Sequence, residues 1–223
     1  MSWLRIAFYN LVTFPLTRIL CRVKVTGREN LGALKQPVIF ASNHITELDA
    51  ALIMSALPPR FRNRLAIAME GERLEGYRRP PAATPPLLRL RFFFQYWLVT
   101  ALFNVFPLPK RSGFRQSFDY AGEAMDAGYN ILIFPEGEMT KDGRLQKIQP
   151  GTALLADGLE AAIVPVRITG LHEQKSLGRR YYAPPGSVTI SFGPPIPYRP
   201  HTDATSIVSE LERQLGVNVT ITS

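Results

Sequence analysis

Short apolar runs alternate with helix-length stretches along the chain, and that alternation restricts the fold more than any single residue does. VKVTG (23–27), PVIFASNH (37–44), LAIAME (65–70), NILIFPEG (130–137), AAIVPVRITG (161–170) and SVTISFG (187–193) read as strands. A further short strand is predicted near 104–108, at the end of the aromatic run FFFQYWLVTALFNVFPLP (92–109). Between them, residues 48–57 read as a helix stopped by Pro58-Pro59. Residues 114–128 put Phe114, Phe118, Ala121 and Met125 on one helical face, with Gly128 as the cap. Residues 151–158 form another helix, and a last one starts near Asp203. Strands alternating with helices predict an α/β fold, a central mostly parallel sheet flanked by helices. With neither repeat nor linker, the 223 residues (1–223) read as one domain.

Charge narrows the partners. Lys plus Arg number 26 and Asp plus Glu 18, a net +8, which favours nucleic acid, a phosphorylated substrate or an acidic bilayer. Eight arginines fall between 60 and 91, but among prolines and apolar residues and without a nucleic-acid-binding motif, so no nucleic acid is expected. Cys21 is the single cysteine, which excludes an internal disulfide and a cysteine metal cluster. The N-terminal stretch 1–20 is apolar, yet Arg5, Asn10, Pro15 and Arg18 break it, so it does not read as a span. Trp3, Phe8 and Tyr9 beside arginines suit a helix lying in the headgroup layer; the alternative is an amphipathic helix packed on the domain. The run 92–109 is apolar all round, so its helix is either buried or in contact with lipid.

Chemistry concentrates where the second strand ends. ASNHITELDA (41–50) sets His44 five positions before Asp49, at the passage from strand to helix. A neutral imidazole takes a proton from an attacking alcohol, and a carboxylate on its other nitrogen fixes the tautomer and stabilises the imidazolium. The bland reading is a histidine that caps a helix. The chain has no G-x-S-x-G, no G-x-x-x-x-G-K-[ST] and no G-x-G-x-x-G, and His172 and His201 lie in polar stretches, so no metal site is expected. FPEGEMTKDGRLQK (134–147) adds Glu136, read as an acceptor of substrate hydroxyls, with Lys141, Arg144 and Lys147 as phosphate-holding cations. FPLPKRSG (106–113) adds Lys110 and Arg111 at another strand-to-helix turn.

Asn43-His44 followed by Asp49 matches the N-H-x-x-x-x-D motif, and FPEG (134–137) the next motif, of a family that the chain resembles: the glycerolipid, or lysophosphatidic acid, acyltransferases. IVPVRI (163–168), with Pro165, resembles the strand that follows there. VFPLPKRSG resembles the block that usually ends in arginine, with Lys110 in that place. The likeness covers roughly residues 23–195. FPEGEMTKDGRLQKIQPG also resembles the acyltransferase portion of bacterial proteins that join this domain to an acyl ligase and rework lysophosphatidylethanolamine; Glu138 stands where Thr or Arg is more usual.

The resemblance implies an acyl group moved from acyl-CoA or acyl carrier protein to the free hydroxyl of a lysophospholipid, 1-acylglycerol-3-phosphate or similar. It implies His44 as general base, Asp49 as its orienting partner, and substrate binding by Asn43, Lys110, Arg111, Glu136, Gly137, Lys141 and Pro165. It implies no metal and no bound cofactor. It further implies a peripheral, monotopic place on an anionic surface, the cytoplasmic face of the cell membrane. Two rivals remain at this point, a catalytically silent lipid-binding module and a thioester hydrolase. The acceptor headgroup, the donor carrier and the oligomeric state stay open on sequence alone.

Overall fold

The computed structural model of the protein describes residues 3–97, 100, 103–108, 114–178 and 183–216. Seven strands, β1 (Cys21–Thr26), β2 (Ile39–Ser42), β3 (Leu65–Glu70), β4 (Val105–Leu108), β5 (Asn130–Ile133), β6 (Ile163–Thr169) and β7 (Ala183–Phe192), form one sheet in the order β1-β7-β6-β2-β5-β3-β4. Every neighbouring pair is parallel except β6 with β7. Each strand expected from the sequence is present.

The sheet is covered on both faces, which is why β2 and β5, buried at every position, read as continuous apolar runs. Phe40, Leu132 and Val164 share one face with Tyr9, Phe14, Leu52, Ile53 and Phe61. Ile39, Ile131 and Ile163 share the other with Ala121, Met125, Leu155, Ile207 and Leu211. Alternate residues of one strand thus feed two cores, the period of two expected of a pleated chain. The helix Phe114–Asp126 buries Ala121 and Met125 and half-buries Phe118, as its spacing predicts; the side chain of Phe114 lies outside the described set. It closes at Gly128 (φ 78°), whose N–H bonds the Met125 carbonyl at 2.8 Å while Tyr129 N–H bonds Ala124 at 2.9 Å.

The N-terminal segment packs one face on the domain and leaves another exposed. Residues 3–20 run helical as Trp3–Phe8, a π-helical stretch Tyr9–Thr13, and Phe14–Leu20, which leads straight into β1. Pro15 sits in the first turn of the last piece, where the missing N–H costs least. Tyr9, Thr13, Phe14 and Thr17 pack inward, yet Trp3, Leu11, Leu16 and Ile19 stand exposed. The outward face is apolar rather than charged.

The arginine- and proline-rich region holds more structure than its composition suggests. It contains the helices Pro59–Arg62 and Gly71–Arg78, then Pro86–Trp97, which begins six residues ahead of the predicted start at 92. Pro86 fits a first helical position. No residue of Pro86–Trp97 is buried, whereas Phe103 and Val105, further along the run, pack partly buried against the core; residues 98, 99, 101 and 102 lie outside the described set. Among the described residues no helix is long and apolar enough to cross a membrane.

At the opposite end of the sheet from the motifs, buried Asn130 ties three segments together. Its Oδ1 accepts Val38 N–H at 3.1 Å, and its Nδ2 donates to the carbonyls of Arg64 (2.9 Å) and Phe61 (3.3 Å). Alanine would strand the buried Val38 N–H, while the two carbonyls keep their backbone donors, Asn130 N–H on Arg64 at 2.7 Å and Arg64 N–H on Phe61 at 3.2 Å. Asn130→Ala should therefore lower stability by about 1–3 kcal/mol, read as a fall in the denaturant midpoint; an unchanged midpoint would mean that water takes over this bond.

Candidate active site

β2 and β5 are neighbours in the sheet, and their C-terminal ends bring together residues far apart in sequence. Open parallel sheets bind ligands at this edge. His44 follows β2 and Asp49 opens the helix Asp49–Ala56. The His44 Nδ1 lies 2.9 Å from Asp49 Oδ2. Asp49 is fully buried and is met by donors on every side. Ile45 N–H and Thr46 N–H bond Oδ2 at 2.5 and 3.0 Å, and Thr46 Oγ1–H bonds Oδ1 at 2.9 Å. A carboxylate so placed, in the first turn of a helix, has its oxygens met by N–H and O–H donors. It accepts the proton on Nδ1 and leaves Nε2 with its lone pair. The imidazole stacks on Phe134 at 4.1 Å and an interplanar angle of 21°, so ring rotation is blocked as well.

Glu136 completes the frame in a way the sequence did not suggest. It is 5% exposed, and its two oxygens accept His44 N–H at 2.8 Å and Gln146 N–H at 2.6 Å. Burial pushes its carboxyl above the ordinary value, against the opposing pull of those two amides. This carboxylate fixes the His44 backbone, and neither Glu136 nor Asn43 is among the residues that line the cleft. Asn43 likewise bonds the chain itself. Its side-chain amide donates to Ile168 O at 2.9 Å and accepts Ile168 N–H at 2.7 Å, extending the β2–β6 ladder by one rung. Pro165 is buried within β6 opposite Ala41, and its carbonyl accepts Gly193 N–H at 2.9 Å. These three hold the site's walls.

A cleft of about 770 Å³ opens beside His44. Its walls are chiefly apolar: Phe8, Val12 and Leu16 from the N-terminal helix, Leu48 and Ala51 from the helix after His44, and Ile67, Val105 and Phe134 from the sheet side. Gly137, at φ 76°, lines it with Glu138, on the exposed turn that leaves β5. Lys141, Arg144 and Lys147 are exposed on the following loop and do not line the cleft. That loop is pinned to the site by Thr140 N–H on His44 O at 2.8 Å. Lys110 and Arg111 lie outside the described residues; Leu108, just before them, lines the cleft. Sequence reasoning missed Phe134 as the ring against which His44 stacks, although it begins the FPEG motif, and Thr46 and Gln146, whose contacts carry no sequence signature.

Glutamine has one acceptor oxygen where Glu136 uses two, so Glu136→Gln turns an NH₂ group toward a backbone N–H. The variant should lose about 1–3 kcal/mol of stability and lower kcat with little change in acceptor KM. A raised acceptor KM at normal kcat would restore direct substrate contact.

Known proteins to which the chain is similar are acyltransferases. A family model described as Acyltransferase matches residues 22–78 and 87–169. The 1-acyl-sn-glycerol-3-phosphate acyltransferase LPAT1, chloroplastic, of Arabidopsis thaliana is 24% identical over 178 residues, 78% of this chain and 44% of that protein. The 1-acyl-sn-glycerol-3-phosphate acyltransferase BAT2, chloroplastic, of Brassica napus is also 24% identical, over 78% of this chain and 45% of its own. The chain thus spans under half the length of these relatives. Among solved structures, the 1-acyl-sn-glycerophosphate acyltransferase PlsC of Thermotoga maritima shares the fold at a TM-score of 0.63 and 19% identity, covering 94% of this chain and 77% of its own. The match to the family model runs through both strand ends that carry His44 and Glu136, and the chain belongs to the Acyltransferase family.

Proposed function

We propose that the protein transfers a fatty acyl group from a thioester donor, acyl-CoA or acyl carrier protein, to the free hydroxyl of a lysophospholipid such as 1-acylglycerol-3-phosphate. The observation that carries this reading is a His–Asp pair standing on the edge of an apolar cleft. Nε2 of His44 takes the hydroxyl proton as that oxygen attacks the thioester carbonyl. Asp49 stabilises the imidazolium formed. The tetrahedral intermediate collapses with loss of the thiolate, which takes the proton back from His44 and leaves as the thiol. No metal or bound cofactor enters this sequence of steps. The cleft suits a long acyl chain, whose burial is worth about 0.8 kcal/mol per CH₂. Lys110 and Arg111, which follow the cleft-lining Leu108, supply charge for the acceptor phosphate. The net charge of +8 and the exposed apolar face of the N-terminal helix support a peripheral position on an anionic leaflet, the cytoplasmic one. The intact pair supports an enzyme over a silent lipid-binding module.

Purified protein given labelled acyl-CoA and a panel of lysolipids should yield acylated lipid in excess of free fatty acid. Free fatty acid as the main product would make it a hydrolase. His44→Ala should lower transfer by about 10²–10⁴-fold with the fold preserved. Asp49→Asn should also be impaired, and the double variant should be little worse than His44→Ala, since the pair acts as a unit. Near-normal turnover in folded His44→Ala protein would sink the mechanism.

Lys110→Ala and Arg111→Ala should raise acceptor KM while leaving the thioester KM nearly unchanged, as expected for contacts common to ground and transition states. Steady-state titration of each substrate separates the two. A change confined to the donor would reverse the assignment of the pockets.

A further inference from the structure

We infer that the helical hairpin 71–97 is a second bilayer-docking element, and that the cleft opens sideways into the membrane between it and the N-terminal helix. The helix Pro86–Trp97 shows its apolar side outward. Leu87 (80% exposed), Leu90 (52%), Phe94 (63%) and Trp97 (55%) recur at three- and four-residue intervals, with Phe93 (54%) beside them. At about 100° per residue these positions form one stripe, and Arg89 and Arg91 stand on its two flanks. The helix contains no acidic residue. An apolar stripe edged by arginines matches an acidic lipid surface, whose acyl layer meets the stripe and whose phosphates meet the N–H groups that Arg89 does not use on the Pro81 and Ala82 carbonyls and those of Arg91; water would leave the stripe unmatched. Exposed Arg78 on the preceding helix adds to that charge.

The hairpin is also part of the site. Gln95 Nε2 donates to the Tyr77 hydroxyl at 3.1 Å and the Tyr77 and Phe92 rings lie 5.8 Å apart, so its two helices are joined. Tyr77 and Gln95 line the cleft. On the opposite side the lining residues Val12 and Leu16 are themselves exposed, next to Leu11 and Ile19. Both flanks of the cleft therefore present apolar faces to the outside. A lysolipid or acyl chain that enters between them need not cross water.

Docking is independent of the acyltransferase reading, whereas the portal rests on it. Trp3 and Trp97 are the two tryptophans, so Trp3→Phe leaves Trp97 as the sole probe. Mixed phosphatidylglycerol/phosphatidylcholine vesicles should shift its emission to the blue, brominated chains should quench it, and acrylamide should lose access. Phe93→Glu/Phe94→Glu, at exposed positions that do not line the cleft, should weaken vesicle binding about tenfold or more. The same variant should turn over a detergent-dispersed acceptor within about twofold of normal while its turnover of vesicle-borne acceptor falls in step with binding. Continued acrylamide access to Trp97 on saturating vesicles would overturn docking. So would a lipid-free dimer dispersed by the double substitution, which would assign the stripe to a second copy. Lost vesicle binding with full vesicle turnover would overturn the portal alone. Failure of the unmodified protein to transfer acyl groups in detergent would strike the acyltransferase reading and leave docking standing.

Discussion

A carboxylate taken out of water without a cation has to be met by N–H and O–H donors, and the functional edge of this sheet is organised by two such groups. Asp49 gathers the turn after β2 into a closed loop around the imidazole. Glu136 reaches from β5 to the backbone of His44 and from there to Gln146. One carboxylate sets the ring and the other sets the chain that bears it. The ring's remaining freedom is removed by Phe134, which leaves the same strand as Glu136. A general base has to be positioned before its pKa can matter, and here the positioning comes from strand pairing 92 residues apart in sequence.

Below that edge the fold is an ordinary covered sheet; above it the covering is incomplete. A water-soluble α/β domain would place charge on the outside of its helices. The N-terminal helix and Pro86–Trp97 place Trp3, Leu11, Ile19, Phe94 and Trp97 there. Among the described residues no helix is long and apolar enough to cross a bilayer. The proposed half-insertion would satisfy both facts, because a helix lying in the interface keeps one face on the protein and one in the acyl layer.

The strands were legible because a strand covered on both faces has to be a short apolar run, and little else in such a chain is. IFAS and NILI leave no room for another reading. His44 and Asp49 were legible because five residues at a strand-to-helix turn suffice to close the pair. Glu136 was located, but its bonds to the backbone were not foreseen: a carboxylate in a motif looks the same in sequence whether it meets substrate or backbone. The bonds of Asn43 were hidden for the same reason, since its Ile168 partner is 125 residues away. The hairpin 71–97 was hidden by its prolines and arginines, which resemble a loop until the apolar stripe is seen to point outward.

The apolar cleft bears on why such a site favours an alcohol over water. Water is abundant and small, and a bare His–Asp pair activates it as readily as a lipid hydroxyl. On the proposed function, an acyl chain in the cleft, with Phe134 against one face of the imidazole, would remove the volume in which a water could approach Nε2. The low dielectric of that filled cleft strengthens the attraction between imidazolium and Asp49. A second lipid entering along the same apolar walls would bring its hydroxyl to the imidazole nitrogen that Asp49 does not bond. Selectivity for the proposed transfer would then follow from what the cleft excludes, and the chemistry of the pair need not differ from that of a hydrolase.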